Sequence, residues 1–215
     1  MTQTDLQVDI VSDVVCPWCI VGFLQLDRAL TTLELSATVR WHPFELNPDM
    51  APEGEHLREH MMRKYGVTRE QSMQARQRLT DIGPSLNFNF HFDENARIVN
   101  TFRAHQLLDW AEHFHLQHPL KLTFFRAYFC DGRDVSDIDT LLSCVGEVGL
   151  DVNAAREMLE QGSLANQTRQ KMAFWTSRGI TGVPAMIFDR KYLLTGAQGV
   201  EGYQEILKRC RAEAA

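Results

Sequence analysis

Cys16-Pro17-Trp18-Cys19 brings two thiols within one helical turn, the tightest pairing among the five cysteines of this 215-residue chain. Such a pair can exchange disulfides, bind a metal or simply fill a core. Exchange needs the thiolate, the nucleophilic form of a group that ordinarily titrates near about 8.5. A strand-to-helix junction supplies the means. The first N–H groups of a helix are unpaired, and its macrodipole places about half a positive charge there. On this reading Cys16, just ahead of the helix, is the exposed thiol with the lowered pKa, and Cys19, one turn in, is the shielded resolving thiol. Pro17 and Trp18 tune how far the thiolate is favoured. Zinc requires four ligands. His56 and His60 have an H-x3-H spacing but read as solvated helix-face residues, and His113, His115 and His118 as an exposed helix end, so no metal site is expected.

The elements around the pair follow from periodicity. Leu6, Val8 and Ile10 alternate with polar residues, and Val11, Val14 and Val15 extend the apolar run, which predicts a buried strand. After Cys16, the residues Ile20, Phe23, Leu24, Leu30 and Leu33 recur at helical spacing. Pro17 then falls in the first turn, where its missing N–H costs nothing. A second strand is predicted from Thr38 to Phe44. The turn formers Asn47 to Gly54 open a block that reads mostly as helix. Within it Leu57, Met61 and Tyr65 step by four, Thr68 with Gln71 forms a capping box, and Ser136 with Asp139 forms another cap pattern. Leu86 to Phe92 is the exception, an extended stretch with one aromatic face. Beyond it, helical faces are predicted around Phe102 to Phe114, Leu122 to Phe129, Val152 to Leu159 and Ser163 to Ser177. Short strands Ala185–Phe188 and Tyr192–Thr195 and a final helical face from Val200 to Cys210 complete the order. The organisation is an α/β domain, 1–52 and 162–215, carrying an inserted all-helical domain, 53–161.

Composition narrows the classes of function. Hydrophobic residues make up 44% and charged residues 23%, which is globular and not disordered. The formal charge of −6, without runs of like charge, argues against nucleic acid or an anionic membrane as partner. No stretch reaches the length of a transmembrane helix. The first residues lack a basic n-region and an apolar h-region, which as written places the chain in the cytoplasm. Cys130, Cys144 and Cys210 read as inert core thiols, with Cys130, beside Asp131-Gly132, as the one open to a regulatory role.

A second signal lies at Gly182-Val183-Pro184, ahead of the strand Ala185–Phe188. A proline there is either an ordinary strand-initiating residue or a cis proline in a tight turn. Paired with the C-x-x-C, it resembles the thioredoxin superfamily, specifically the DsbA-like group with an inserted helical domain. Ser12 to Cys19, Pro43 to Met50, Phe125 to Phe129 and Gly179 to Pro184 are similar to the FrnE-type cytoplasmic dithiol–disulfide isomerases. The likeness spans nearly the whole chain.

The resemblance implies a thioredoxin-like fold, Cys16 as nucleophile and Cys19 as resolving thiol. It implies a cis Pro184 against the sulfurs, with the Val183 backbone pairing to substrate. The expected activity is thiol–disulfide exchange or isomerisation on protein or small-molecule disulfides. No cofactor beyond the redox-active disulfide is expected, with glutathione admitted as co-substrate. The cleft between the two domains is expected to hold the substrate. One departure matters: thioredoxins carry a buried acid where this chain has Ile10. Asp13, His42 and Glu45 are the candidates by proximity in sequence for the base, each also readable as an ordinary polar residue, and none is assigned.

Two rival classes remain at this stage. One is a glutathione-dependent kappa-type transferase or 2-hydroxychromene-2-carboxylate isomerase-like enzyme, for which Cys19 would be superfluous. The other is chaperone-like binding of unfolded chains. The direction of electron flow, the physiological substrate and the oligomeric state are not written in the sequence.

Overall fold

The computed structural model describes residues 6–214. They divide into two compact units, Met1–Leu46 with Asn166–Ala215, and Asn47–Ala165. The chain passes between units at Leu46–Asn47 and Ala165–Asn166, where the sequence pattern places the changes after 52 and after 161.

The first unit is built on one sheet. β1 (Leu6–Ser12) leads into α1 (Pro17–Thr32), and β2 (Ala37–Pro43) returns parallel to β1. The hairpin β5 (Ala185–Phe188) and β6 (Tyr192–Thr195) adds two antiparallel strands, giving the order β2-β1-β5-β6. α8 (Ala165–Thr176) precedes the hairpin and α9 (Gly199–Ala214) follows it. Period two decides which side chains go where. Val8 and Ile10 on β1, Trp41 on β2, and Met186 and Phe188 on β5 are buried on the face that meets α1 and α9. There Phe23 of α1 lies 5.3 Å from Trp41, and Tyr203 of α9 lies 6.3 Å from Phe188. On the opposite face Val11, Phe44, Ile180 and Ala185 form a core flanked by Leu46, Trp175, Val183 and Ile187.

The β5–β6 connection runs from Asp189 to Lys191, with Asp189 and Arg190 both left-handed at φ 49° and 59° and the Lys191 N–H donating to the Phe188 carbonyl at 2.9 Å. Asp189 also accepts the Gln7 N–H through Oδ1 at 3.0 Å, tying the turn to the start of β1.

The second unit is a helical array: α2 (Leu57–Tyr65), α3 (Arg69–Ile82), a 3₁₀ turn (Gly83–Leu86), α4 (Phe102–Glu112), α5 (Gln117–Phe129), α6 (Ile138–Glu147) and α7 (Val152–Gln161). The Thr68–Gln71 capping box is formed from both sides. Phe88 and Phe90 are buried while Asn87, Asn89 and His91 are exposed, so Leu86 to Phe92 has its aromatic face. A 3₁₀ turn ends at Leu86, however, and the stretch is irregular rather than a strand. α6 is capped by Asp137, whose carboxylate accepts the Thr140 N–H at 2.9 Å, not by Ser136, whose own N–H turns back to Asp134. The two-residue ladder of β3 (Glu55–His56) with β4 (Arg97–Ile98) carries no periodicity that sequence reading could detect. His60 is not solvated but buried and bonded to Glu55, whereas His56 is half-exposed, with Nε2 2.9 Å from the Glu94 carbonyl. Among the described residues no cluster of His, Cys, Asp and Glu could hold a metal ion, and no helix is long and apolar enough to cross a membrane.

The sheet unit buries charge at the edge of its core. Asp9, 6% exposed, accepts hydrogen bonds from His42 Nε2 and Gln7 Nε2, each at 2.7 Å. His42 in turn packs on Trp175, with ring centres 4.7 Å apart. Burial works to raise the Asp9 pKa, but these bonds outweigh it and hold the carboxyl below its ordinary value of 3.8. Because the folded value lies below the unfolded one, the stabilisation is present above the unfolded value and is lost as pH falls through the folded one. Asp9→Ala is therefore expected to cost about 1–3 kcal/mol near neutral pH. In denaturant titrations the gap to the parent should shrink in acid below the ordinary carboxyl range. A gap of the same size there would contradict the assignment.

Candidate functional site

β1 ends at Ser12, and a single turn carries the chain into α1, closed by the Cys16 N–H donating to the Asp13 carbonyl at 3.3 Å. Val14 and Val15 are buried beneath that turn. Cys16 is the extended N-cap of α1 (φ −95°, ψ 109°), and Pro17 occupies the first turn. Cys19 N–H donates to the Cys16 carbonyl at 3.1 Å. Neither cysteine is in a disulfide. Trp18, between them, is 43% exposed.

From the other side of the sheet unit comes the segment before β5. The Val183–Pro184 peptide is cis, and Cys16 Sγ lies 3.6 Å from the Val183 carbonyl oxygen as a thiol donor. Val183 is half-buried and packs on the core of Val11, Phe44, Ile180 and Ala185, while Pro184 is buried. The structure thus gathers Cys16, Cys19, Val183 and Pro184 around one point, with Pro17 and Trp18 at its edge. Gly22 permits the approach. A Cβ there would lie 3.1 Å from both Met186 Cε and Tyr203 Oη, and 3.5 Å from Pro184 Cγ.

Two expectations about Cys16 are corrected. It is only 4% exposed, against 0% for Cys19, so it is not an open thiol. Nor is its pKa lowered: it is pushed well above the ordinary thiol range. The hydrogen bond with the Cys19 sulfur is the largest cause and burial the next, with the charges of Cys19 and Asp13 adding to them. The Cys19 backbone N–H, in the first turn of the helix, pulls in the favourable direction but is outweighed. The sulfurs act as one titrating pair: once one is ionised, the other keeps its proton.

Of the three neighbours raised as bases, His42 is bonded to Asp9. Asp13 is 1% exposed and accepts the Leu46 N–H at 2.7 Å. Glu45 is half-buried. Sequence reading missed Tyr203, which appeared only as one position on a helical face. Its phenol is buried beside Gly22 and pushed up to about 12, by burial first and also by the nearby Cys19 sulfur. No local motif marks it, because it reaches the site from the last helix. The other cysteines lie elsewhere: Cys144 and Cys210 are buried, and Cys130 is half-buried.

Residues 7–208 match the DSBA-like thioredoxin domain, and the chain belongs to that family. It is 25% identical over 203 residues to the uncharacterized Bacillus subtilis protein YwbO, covering 94% of this chain and 96% of the other. It is similar to the crystal structure of a probable DsbA oxidoreductase from Streptomyces coelicolor, at 28% identity and a TM-score of 0.89, covering 97% and 91% of the two chains. It shares the fold of the cytosolic disulfide reductase DsbM from Pseudomonas aeruginosa with GSH, at 19% identity and a TM-score of 0.62, covering 97% and 96%.

The pairing of the sulfurs makes a direct prediction. In the reduced protein, labelling of Cys16 by iodoacetamide is expected to be slow at neutral pH and to rise only above the ordinary thiol range. Cys19→Ala removes the largest cause of that elevation, so its profile should move to lower pH. Peptide mass spectrometry across a pH series reads this. Superimposable profiles would show that the Cys19 sulfur does not control Cys16.

Proposed function

We propose that this protein is a thiol–disulfide oxidoreductase or isomerase in which Cys16 is the nucleophile and Cys19 the resolving thiol. The observation that carries the reading is the pair of reduced cysteines at the head of α1, with the Cys16 sulfur set against the Val183 carbonyl just before Pro184. Membership of the DSBA-like family supports it.

The reaction balances as two exchanges. The Cys16 thiolate attacks one sulfur of a substrate disulfide, forming a Cys16–substrate bond and releasing the other substrate sulfur as a thiolate that takes up a proton. Cys19 then gives up its proton and attacks the Cys16 sulfur. A Cys16–Cys19 disulfide forms, the second substrate thiol leaves, and two electrons have passed from protein to substrate. Run backwards, the same steps oxidise a dithiol. Stopped at the mixed disulfide and reversed onto a different substrate thiol, they isomerise. The Val183 backbone, beside the sulfur, is suited to pairing with an extended peptide, a mode that gives affinity with little demand on sequence.

The potential of the pair decides which direction dominates: a strongly oxidising dithiol lies near about −120 mV, and thioredoxin near about −270 mV. Glutathione is the proposed small-molecule partner, since a protein of the same fold is described with GSH, and the cytosolic designation of that protein supports a cytoplasmic setting.

The test is insulin reduction with dithiothreitol as electron source, read alongside mass spectrometry. Cys16→Ser is expected to fall to the uncatalysed rate. Cys19→Ser should still attack but accumulate a mixed disulfide on Cys16. A fully active Cys16→Ser protein ends the proposal. Full turnover by Cys19→Ser with no trapped adduct would move the reading to the transferase class.

A further inference from the structure

Tyr203 is fully buried, and the exchange steps give it no part. Phenylalanine would suit most of its surroundings. The ring packs 6.3 Å from Phe188, and Met186 Cε and Pro184 Cγ gather with the phenol oxygen around the place of a Gly22 Cβ. The oxygen is what departs from this apolar setting, and it has neighbours on two different elements. On one side is Gly22, inside α1 and three residues after Cys19, where a Cβ would come within 3.1 Å of it. Glycine is a poor helix residue, and this close approach accounts for it there. On the other side is Gly196, just after β6, whose carbonyl accepts the hydroxyl at 3.4 Å. Gly196 has a left-handed φ of 78°, which glycine adopts without strain, and its N–H donates to the Pro184 carbonyl at 2.7 Å. One residue earlier, the Val183 carbonyl takes the Cys16 thiol at 3.6 Å.

We infer that Tyr203 is a positioning residue of the dithiol site: its hydroxyl, wedged between Gly22 of α1 and the Gly196 carbonyl, sets the spacing between the helix that carries Cys16 and Cys19 and the Val183–Pro184 segment that faces them. It acts through Gly196 and Pro184 and takes no proton from either sulfur. Its bond is longer than the usual 2.5–3.0 Å for O–H···O, so the oxygen works as a spacer as much as a donor. Tyr203→Phe leaves Gly196 without that donor and opens a gap beside Gly22. The consequence falls on substrates that use the Val183 backbone. An extended peptide paired with that segment must bring its disulfide to Cys16 in register, whereas a small disulfide needs only the sulfur. The inference rests on the dithiol mechanism proposed above.

The test uses the full-length, pre-reduced protein and follows single-turnover oxidation by excess insulin or by 2-hydroxyethyl disulfide, read by mass. In Tyr203→Phe the rate with insulin is expected to fall about three- to tenfold while the rate with the small disulfide stays at the parent value. A purely structural role lowers both rates together, and a folded variant with the parent ratio of rates overturns the inference. Should Tyr203→Phe not fold, Gly22→Ala, whose Cβ presses on the same oxygen, carries the same expectation. A second readout needs no disulfide chemistry: the Gly196 amide should exchange with solvent faster in Tyr203→Phe than in the parent, by NMR. A parent that is oxidised by neither disulfide ends the exchange reading, and the Gly196 amide then decides the placement alone. Unchanged protection there overturns the role of Tyr203.

Discussion

β1 is bonded along both edges, in parallel to β2 from Leu6 to Ser12 and antiparallel to β5 from Val8 to Val11. A strand held on both sides cannot slip by one residue without turning every side chain to the wrong face. The point at which the chain leaves the sheet is therefore fixed, and so is the turn that follows. Cys16 inherits its place from that constraint. Because β5 is bonded to the same strand, the Val183–Pro184 segment that leads into it is placed by the same register. Two stretches far apart in sequence thus meet at the sulfurs because they flank neighbouring strands of one ladder.

The electrostatics of the pair are a contest between two consequences of that placement. Starting a helix immediately after a buried strand points unpaired N–H groups at Cys16 and favours its thiolate. Starting it there also buries the sulfur, sets it against a second sulfur and leaves a carboxylate in the preceding turn. Burial penalises the charged form of a thiol, and a partner sulfur can be ionised first. The second set of effects wins for Cys16.

Much of the sheet unit was legible because its signals are local. Alternation named β1, and β5 and β6 fall on the expected residues, since turn-forming Asp189 separates two short apolar runs. The pairing of Cys16 with Cys19 was legible for the same reason, as two residues between cysteines fit one helical turn. What depends on distant contacts was not. The burial of Cys16 depends on packing that no window of sequence contains. His42, read as an ordinary polar residue or a base, is committed to Asp9 across two strands. The shift of the α6 cap from Ser136 to Asp137 is a choice between adjacent residues that could each cap, settled by which side chain Asp134 had already engaged.

The place of Ile10 shows why a charge for this site cannot come from the strand itself. Ile10 is level with Trp41 on one side and Met186 on the other, and Met186 reaches Gly22 on α1. The side chains of β1 on that face, Val8 and Ile10, are apolar and fully buried, where a carboxylate would be costly to desolvate. The other face does hold a carboxylate, Asp9, but its oxygens are taken by His42 and Gln7. Beyond Ser12 the two-residue alternation ends, and a side chain is no longer assigned to a face by parity. The first position free of that rule is Asp13, whose carboxylate is buried in the turn and accepts the Leu46 N–H.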